Sequence, residues 1–131
     1  MRWGRPFDPG AEAIWVTGNL TGRAGKQRQL LLLVDPGTPQ TIVDDQLAAQ
    51  IGLDRSQTTG PAHFRGFTGP QGGYYALADR LEVFGRAVGP FNVACCPCDP
   101  GFEIDGLLGL DFFRDLVVTM DFKLGRMVLE D

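Results

Sequence analysis

Leu30-Leu31-Leu32-Leu33-Val34-Asp35-Pro36-Gly37-Thr38 is the stretch on which the reading of this chain turns. Five aliphatic residues at successive positions read as a fully buried strand, because a half-exposed one would alternate. A carboxylate at the end of such a strand is costly unless it is hydrogen-bonded or paired. The tripeptide itself carries no information, since Asp-Pro-Gly stands at 8–10, 35–37 and 99–101. Pro in second place and Gly in third is ordinary turn chemistry, with Asp bonding back to the backbone. Context separates the three. Only Asp35 follows an aliphatic run and precedes Thr38, then Thr41-Ile42-Val43 and a helix signal. Asp8 lies in a polar N-terminal segment expected to be loose over residues 1–11, and Asp99 follows a Cys/Pro cluster; both read as plain turns.

Around this stretch the dominant period is two. Ala13-Ile14-Trp15-Val16 and Leu20 suggest a strand before it, and Thr41-Ile42-Val43 a short one after it. The clearest helix begins there: Asp44 or Asp45 caps it, Leu47 and Ile51 share a face, and Gly52 ends it. Residues 63–68 and 73–84 read as two strands about a glycine-rich tip at 69–73, with 88–96 pairing back. Gly106-Leu107-Leu108-Gly109-Leu110 is apolar, Asp111 opens a short helical turn, and 116–122 with 126–129 make a closing hairpin. No linker and no repeat divides residues 1–131, so one domain is expected.

Composition removes several function classes. At 131 residues, 44% hydrophobic and 21% charged, the chain reads as one soluble globular domain. Its 18 glycines and 9 prolines announce many turns. No aliphatic run approaches the about 20 residues of a membrane helix, and residues 1–10 lack a leader pattern. A net charge of -4 and a pI near 4.9 with scattered cations argue against nucleic acid. Cys95, Cys96 and Cys98 form no spaced disulfide framework, and free thiols suit a reducing cytoplasm. Zinc would need a fourth ligand, with His63 the sole histidine, and the spacing is not C-x2-C, so neither metal nor other cofactor is expected.

With that context the sequence resembles the retropepsin-like aspartic peptidases, as they occur in retroviruses, bacteria and ubiquitin-shuttle proteins. The first signature of that family is an apolar strand followed by Asp-Thr/Ser-Gly, here Asp35-Pro36-Gly37-Thr38. Its second is two apolar residues and a glycine before a short helix, here Gly106-Leu107-Leu108-Gly109. Between them the family carries a glycine-rich flap, matched by Phe67-Thr68-Gly69-Pro70-Gln71-Gly72-Gly73-Tyr74-Tyr75. The resemblance spans residues 12–130. It implies an all-β acid-protease fold: a closed antiparallel β domain with one clear helix and a short second helical turn. It further implies Asp35 as the catalytic residue, Gly37 and Thr38 as its support, and Phe67, Thr68, Gly69, Gly72 and Gly73 as flap residues over substrate. Gly106, Leu107, Leu108 and Gly109 would be the structural second motif.

Amide hydrolysis by carboxylates needs two, one taking a proton from water while the other protonates the carbonyl oxygen. One such Asp per chain therefore implies a symmetric homodimer acting on an extended peptide or protein. The resemblance places the terminal strand near residues 126–130 across that interface. Asp105 and Asp111 read as turn caps. Pro36 departs from the family, whose Thr or Ser at this place locks the two loops across the axis through its hydroxyl and N–H; proline has neither. Thr38 keeps a hydroxyl able to reach the outer oxygen of Asp35. Two outcomes are compatible with Pro36: an active enzyme with a differently braced dimer, or a peptide-binding module that retains the fold without activity. A thiol or metal site at Cys95, Cys96 and Cys98 is a third reading.

Overall fold

The computed structural model describes residues 1–66, 69–98 and 103–131. Its elements are, in chain order, β1 (Arg2–Pro6), β2 (Trp15–Thr21), β3 (Gln27–Val34), β4 (Ile42–Asp44), α1 (Asp45–Gln50), β5 (Thr58–Gly66), β6 (Gly69–Ala78) and β7 (Arg80–Val83). They continue with β8 (Arg86–Val88), β9 (Phe91–Cys96), β10 (Gly106–Leu108), α2 (Leu110–Phe113), β11 (Val117–Asp121) and β12 (Arg126–Glu130). Nine strands form one sheet in the order β5-β6-β9-β4-β10-β3-β2-β7-β8, and three form a second, β1-β12-β11. Pairing is antiparallel except where β10 lies parallel to β3 and β4 parallel to β9.

Neither sheet closes on itself among the described residues; β5 and β8 are open ends, so the closed domain expected from the sequence is an open one. The small sheet takes the place of closure. Met127 and Leu129 of β12 are buried in the main core, with Val118 and Met120 of β11 packed against it. They meet Leu30 and Leu32 of β3, Leu20 of β2, Leu81 of β7, Leu108 of β10 and Phe112 of α2, all essentially inaccessible. Phe112 and Phe113 stand edge to face with ring centroids 5.5 Å apart, a geometry that adds to the area such rings bury.

Residues 2–6 are a strand and not the loose segment expected from their Pro and Gly content. β12 supplies a full ladder to them, from Arg2 opposite Glu130 to Pro6 opposite Arg126. Trp3 packs on the core, and the Arg86 guanidinium lies 5.6 Å from its ring and 5.3 Å from that of Phe112. β3 is likewise not buried on both faces: Leu30 and Leu32 enter the core, while Leu31 remains 39% exposed. Its second face is partly open, with Leu33 half-buried.

The glycine-rich tip also moves. Gly66 pairs with Gly69 and His63 with Gly72, so the expected turn at 69–73 is already strand. Gly73 serves close approach instead: a Cβ there would stand 2.2 Å from the Cys95 carbonyl oxygen. The α1 signals fit, with Asp44 capping by accepting the Leu47 N–H at 3.3 Å.

Candidate active site

Asp35 stands one residue past β3, and its main chain prolongs the ladder by donating its N–H to the Leu108 carbonyl at 2.9 Å. The turn then closes on itself. The Thr38 N–H donates to the Asp35 carbonyl at 3.1 Å, and the Gly37 N–H donates to Asp35 Oδ1 at 3.1 Å. Asp8 makes the same pair of bonds, from Gly10 N–H at 2.8 Å and Ala11 N–H at 3.1 Å. Local turn chemistry is thus common to both, and what distinguishes Asp35 is tertiary. Leu108 receives its N–H on one side, and Leu110 N–H returns to the Thr38 carbonyl at 2.8 Å on the other. Thr38 serves through this backbone; among the described residues its hydroxyl makes no bond to Asp35, contrary to expectation. Asp99 lies outside the described residues.

The second apolar-glycine motif fills the space between β3 and β4. Gly106, Leu107 and Leu108 pair with Leu32, Leu33 and Val34 on one side, and Gly106 and Leu107 with Val43 and Ile42 on the other. Its glycines are dictated by approach: a Cβ on Gly106 would lie 2.1 Å from the Ile42 carbonyl oxygen, and one on Gly109 2.5 Å from the Gln40 carbonyl carbon.

Asp105 and Asp111 do more than cap turns. The Leu31 N–H donates to Asp105 Oδ2 at 2.7 Å, prolonging the β3–β10 pairing. Asp111 accepts the Thr41 N–H at 3.0 Å and the Thr41 hydroxyl at 2.7 Å, and Thr41 Oγ1 accepts the Gly109 N–H at 3.1 Å. Thr41 is fully buried. It joins the chain leaving the Asp35 turn to α2 across 70 residues. Sequence reasoning missed Thr41; the available signal was a hydroxyl opening an otherwise apolar strand.

Strand register shows what surrounds Asp35. Trp15, Leu33, Leu107, Ile42, Ala94 and Tyr75 stand opposite one another across six successive strands. Side chains alternate, so this row lies on the face away from Leu32, and Asp35 follows two residues beyond Leu33 on that same face. Ile42, Ala62, Ala94 and Cys96 form a separate apolar cluster there, with Tyr75 and Leu107 packed on it. An apolar floor therefore runs up to a half-buried carboxylate.

Two aromatic residues, Trp15 and Tyr75, stand at the ends of this row. Tyr74 points into the core, donating to the Leu53 carbonyl at 2.7 Å, and burial pushes its phenol well above the ordinary range. Phe91 packs on Phe112, with centroids 6.4 Å apart. Gly72 and Gly73 lie on β6 and Gly69 opens it, while Phe67 and Thr68 fall outside the described residues.

The cysteines are free thiols, with Cys95 and Cys96 buried and Cys98 half-buried. Burial pushes both Cys95 and Cys98 up to about 12, and raises Cys96. Among the described residues no group of three or more His, Cys, Asp or Glu side chains is placed to hold a metal ion. Nor is any helix there long and apolar enough to cross a membrane. Beside the turn, on the side of the small sheet, Pro36 borders an apolar groove of about 460 Å³ lined with Leu110, Phe113, Leu116, Val118, Met120 and Met127.

A family model described as aspartyl protease matches residues 16–112, which places this carboxylate-bearing turn and both glycine motifs within it. The chain belongs to that aspartyl protease family. Among solved structures it is similar to a retropepsin-like aspartic protease from Rickettsia conorii, with a TM-score of 0.71 at 12% identity, covering 98% of this chain and 89% of that one. The fold is the all-β retropepsin fold. A search of curated proteins found no match.

Proposed function

We propose that the chain is a homodimeric aspartic endopeptidase whose two catalytic carboxylates are Asp35 of each copy. The observation that carries this reading is the setting of Asp35. Its backbone is fixed to the second motif, Oδ1 takes the Gly37 N–H, and Oδ2 has no hydrogen-bond partner among the described residues. Two such carboxylates meeting at a two-fold axis cannot both ionise and share one proton. The ionised one takes a proton from water as that water attacks the scissile carbonyl; the other donates its proton to the carbonyl oxygen. Collapse of the tetrahedral intermediate breaks the C–N bond as the nitrogen is protonated. An extended peptide lying on the row from Trp15 to Tyr75 would place apolar side chains on it, and the β5–β6 hairpin would serve as the flap that excludes water. Three free thiols fit a reducing compartment such as the cytoplasm.

The expected interface strand changes. β12 is paired on both edges within its own chain, to β1 and to β11, so it has no edge to offer a partner. β11 has a free one, and Leu116, Val118 and Met120 at its side of the groove continue to Pro36. The dimer we infer joins β11 to the partner's β11 and packs the two Pro36 rings and grooves together, apolar contact standing where a hydroxyl interlock is missing.

Hydrolysis of a peptide library from pH 3 to 7 by wild type and Asp35→Asn tests the reading. Cleavage by the wild type alone is expected; equal cleavage by both, or by neither, overturns it. The exposed Pro36 favours a second reading, a peptide-binding module. It predicts unaltered peptide affinity in Asp35→Ala and no cleavage by the wild type.

A further inference from the structure

We propose that Tyr75 is a positioning residue for the Asp35 turn, acting through Gln40. This rests on the reading of Asp35 as catalytic. Gln40 lies between that turn and β4, on a short segment that the backbone itself does not hold. Thr38 is bonded at both its N–H and its carbonyl, and Thr41 at both its own, but Pro39 and Gln40 make no backbone hydrogen bond among the described residues. Proline has no N–H to offer. What holds the segment is one side-chain bond, the Tyr75 hydroxyl donating to Gln40 Oε1.

The anchor at the far end of that bond is rigid. Tyr75 pairs with Ala94 of β9 on one edge of β6 and with Gly60 of β5 on the other, and its side chain packs on the cluster around Ile42 and Ala94. At the near end, Gln40 presses on Gly109 so closely that no Cβ fits between them. Gly109 follows Leu108, whose carbonyl receives the Asp35 N–H. A shift of Gln40 is therefore passed through Gly109 to the backbone that fixes Asp35. Thr41 is held by Asp111 and Gln40 by Tyr75, so two successive residues of the segment are each fixed by a side-chain bond. Because Tyr75 belongs to the hairpin that would cover substrate, the same bond ties the base of the flap to the turn beneath it.

Tyr75→Phe keeps the ring and removes only the hydroxyl, and Gln40→Ala removes the acceptor. Amide hydrogen exchange measured on wild type, both single variants and the double variant reads the coupling without any substrate. The Thr38, Thr41 and Leu110 amides, which close the turn, should exchange about fivefold faster in each single variant, with the double variant no faster and β2 and β7 unchanged. Peptide hydrolysis by the same set should show kcat lowered about fivefold with KM held. Unchanged exchange at those three amides overturns the proposal, as does an equal acceleration in β2 and β7, which would mark general loss of stability. A wild type that cleaves nothing while the exchange pattern appears as stated leaves the tether standing and overturns the peptidase reading instead.

Discussion

Thr41→Val is the substitution that tests most directly how the Asp35 turn is held. Valine matches threonine in shape, so the perturbation is the hydroxyl alone, at a residue with no solvent exposure. Two bonds go with it: the donation to the Asp111 carboxylate at 2.7 Å and the acceptance of the Gly109 N–H at 3.1 Å. A hydrogen bond to a charged group is worth about 1.5–3 kcal/mol, and a buried amide left without a partner costs about 1–3 kcal/mol. The low part of each range applies, since Asp111 keeps the Thr41 N–H, giving about 3 kcal/mol in all. With an unfolding entropy of about 2.1 cal/mol/K per residue, 131 residues convert that loss into a fall in Tm of about 10 °C. Thermal and urea unfolding followed by circular dichroism measure it. Thr41→Ser, which keeps the hydroxyl and gives up one methyl, should cost about 1 kcal/mol. The reasoning is refuted by a Thr41→Val loss below about 1 kcal/mol, or by Thr41→Ser costing as much as Thr41→Val.

Gly109→Ala should cost more than an ordinary overpacking change of about 1–3 kcal/mol, because its Cβ meets the Gln40 backbone at 2.5 Å and backbone cannot swing aside; soluble yield and Tm report it, and a Tm within about 2 °C of wild type would contradict it. Cys95 and Cys98, pushed up to about 12 by burial, should react slowly with a disulfide reagent at pH 8 in the native protein and fully after unfolding in urea. Their thiols hold protons in the folded chain that the unfolded chain releases above about pH 9, so stability is intact below that pH and falls as pH rises towards about 12. Urea midpoints across that range measure the decline, which should shrink when both cysteines are replaced by serine. For the proposed β11 dimer, Thr119→Lys, at an exposed position in the middle of β11, should give monomer in sedimentation where the wild type gives dimer, with Tm falling only by the loss of association; a variant that stays dimeric would move the interface elsewhere.

The main features of the fold and the place of the candidate carboxylate were legible because they rest on short-range signals. The aliphatic run before Asp35, the cap at Asp44 and the two glycines around Leu107 and Leu108 each act within a few residues of themselves. What failed rests on partners remote in sequence. Gly72 and Gly73 look like turn residues, yet Gly73 is there because β9 crosses it at 2.2 Å from a would-be Cβ. Residues 2–6 look irregular until β12, more than a hundred residues on, gives them a ladder. Asp111 carries no mark that Thr41, rather than its own turn, is what it binds. β3 misleads for a different reason: five aliphatic residues in a row describe both a strand buried on two sides and one whose second side stays partly exposed.

The insertion of β10 between β3 and β4 has a consequence for the order in which the molecule can be made. Chain synthesis delivers β3 and β4 early, with a gap between them that only residues 106–108 fill. The Leu31–Asp105 bond spans 74 positions and the Thr41–Asp111 bond 70. Contacts of that separation are the slow ones to form, since the loop between them must first be closed. Until residues 108–111 leave the ribosome, the Asp35 amide has no Leu108 carbonyl to meet and Thr41 no carboxylate to grip. The turn therefore gains these partners only after residues 105–111 are made, and nascent chains stopping short of Asp111 carry Asp35 without the framework that orients it.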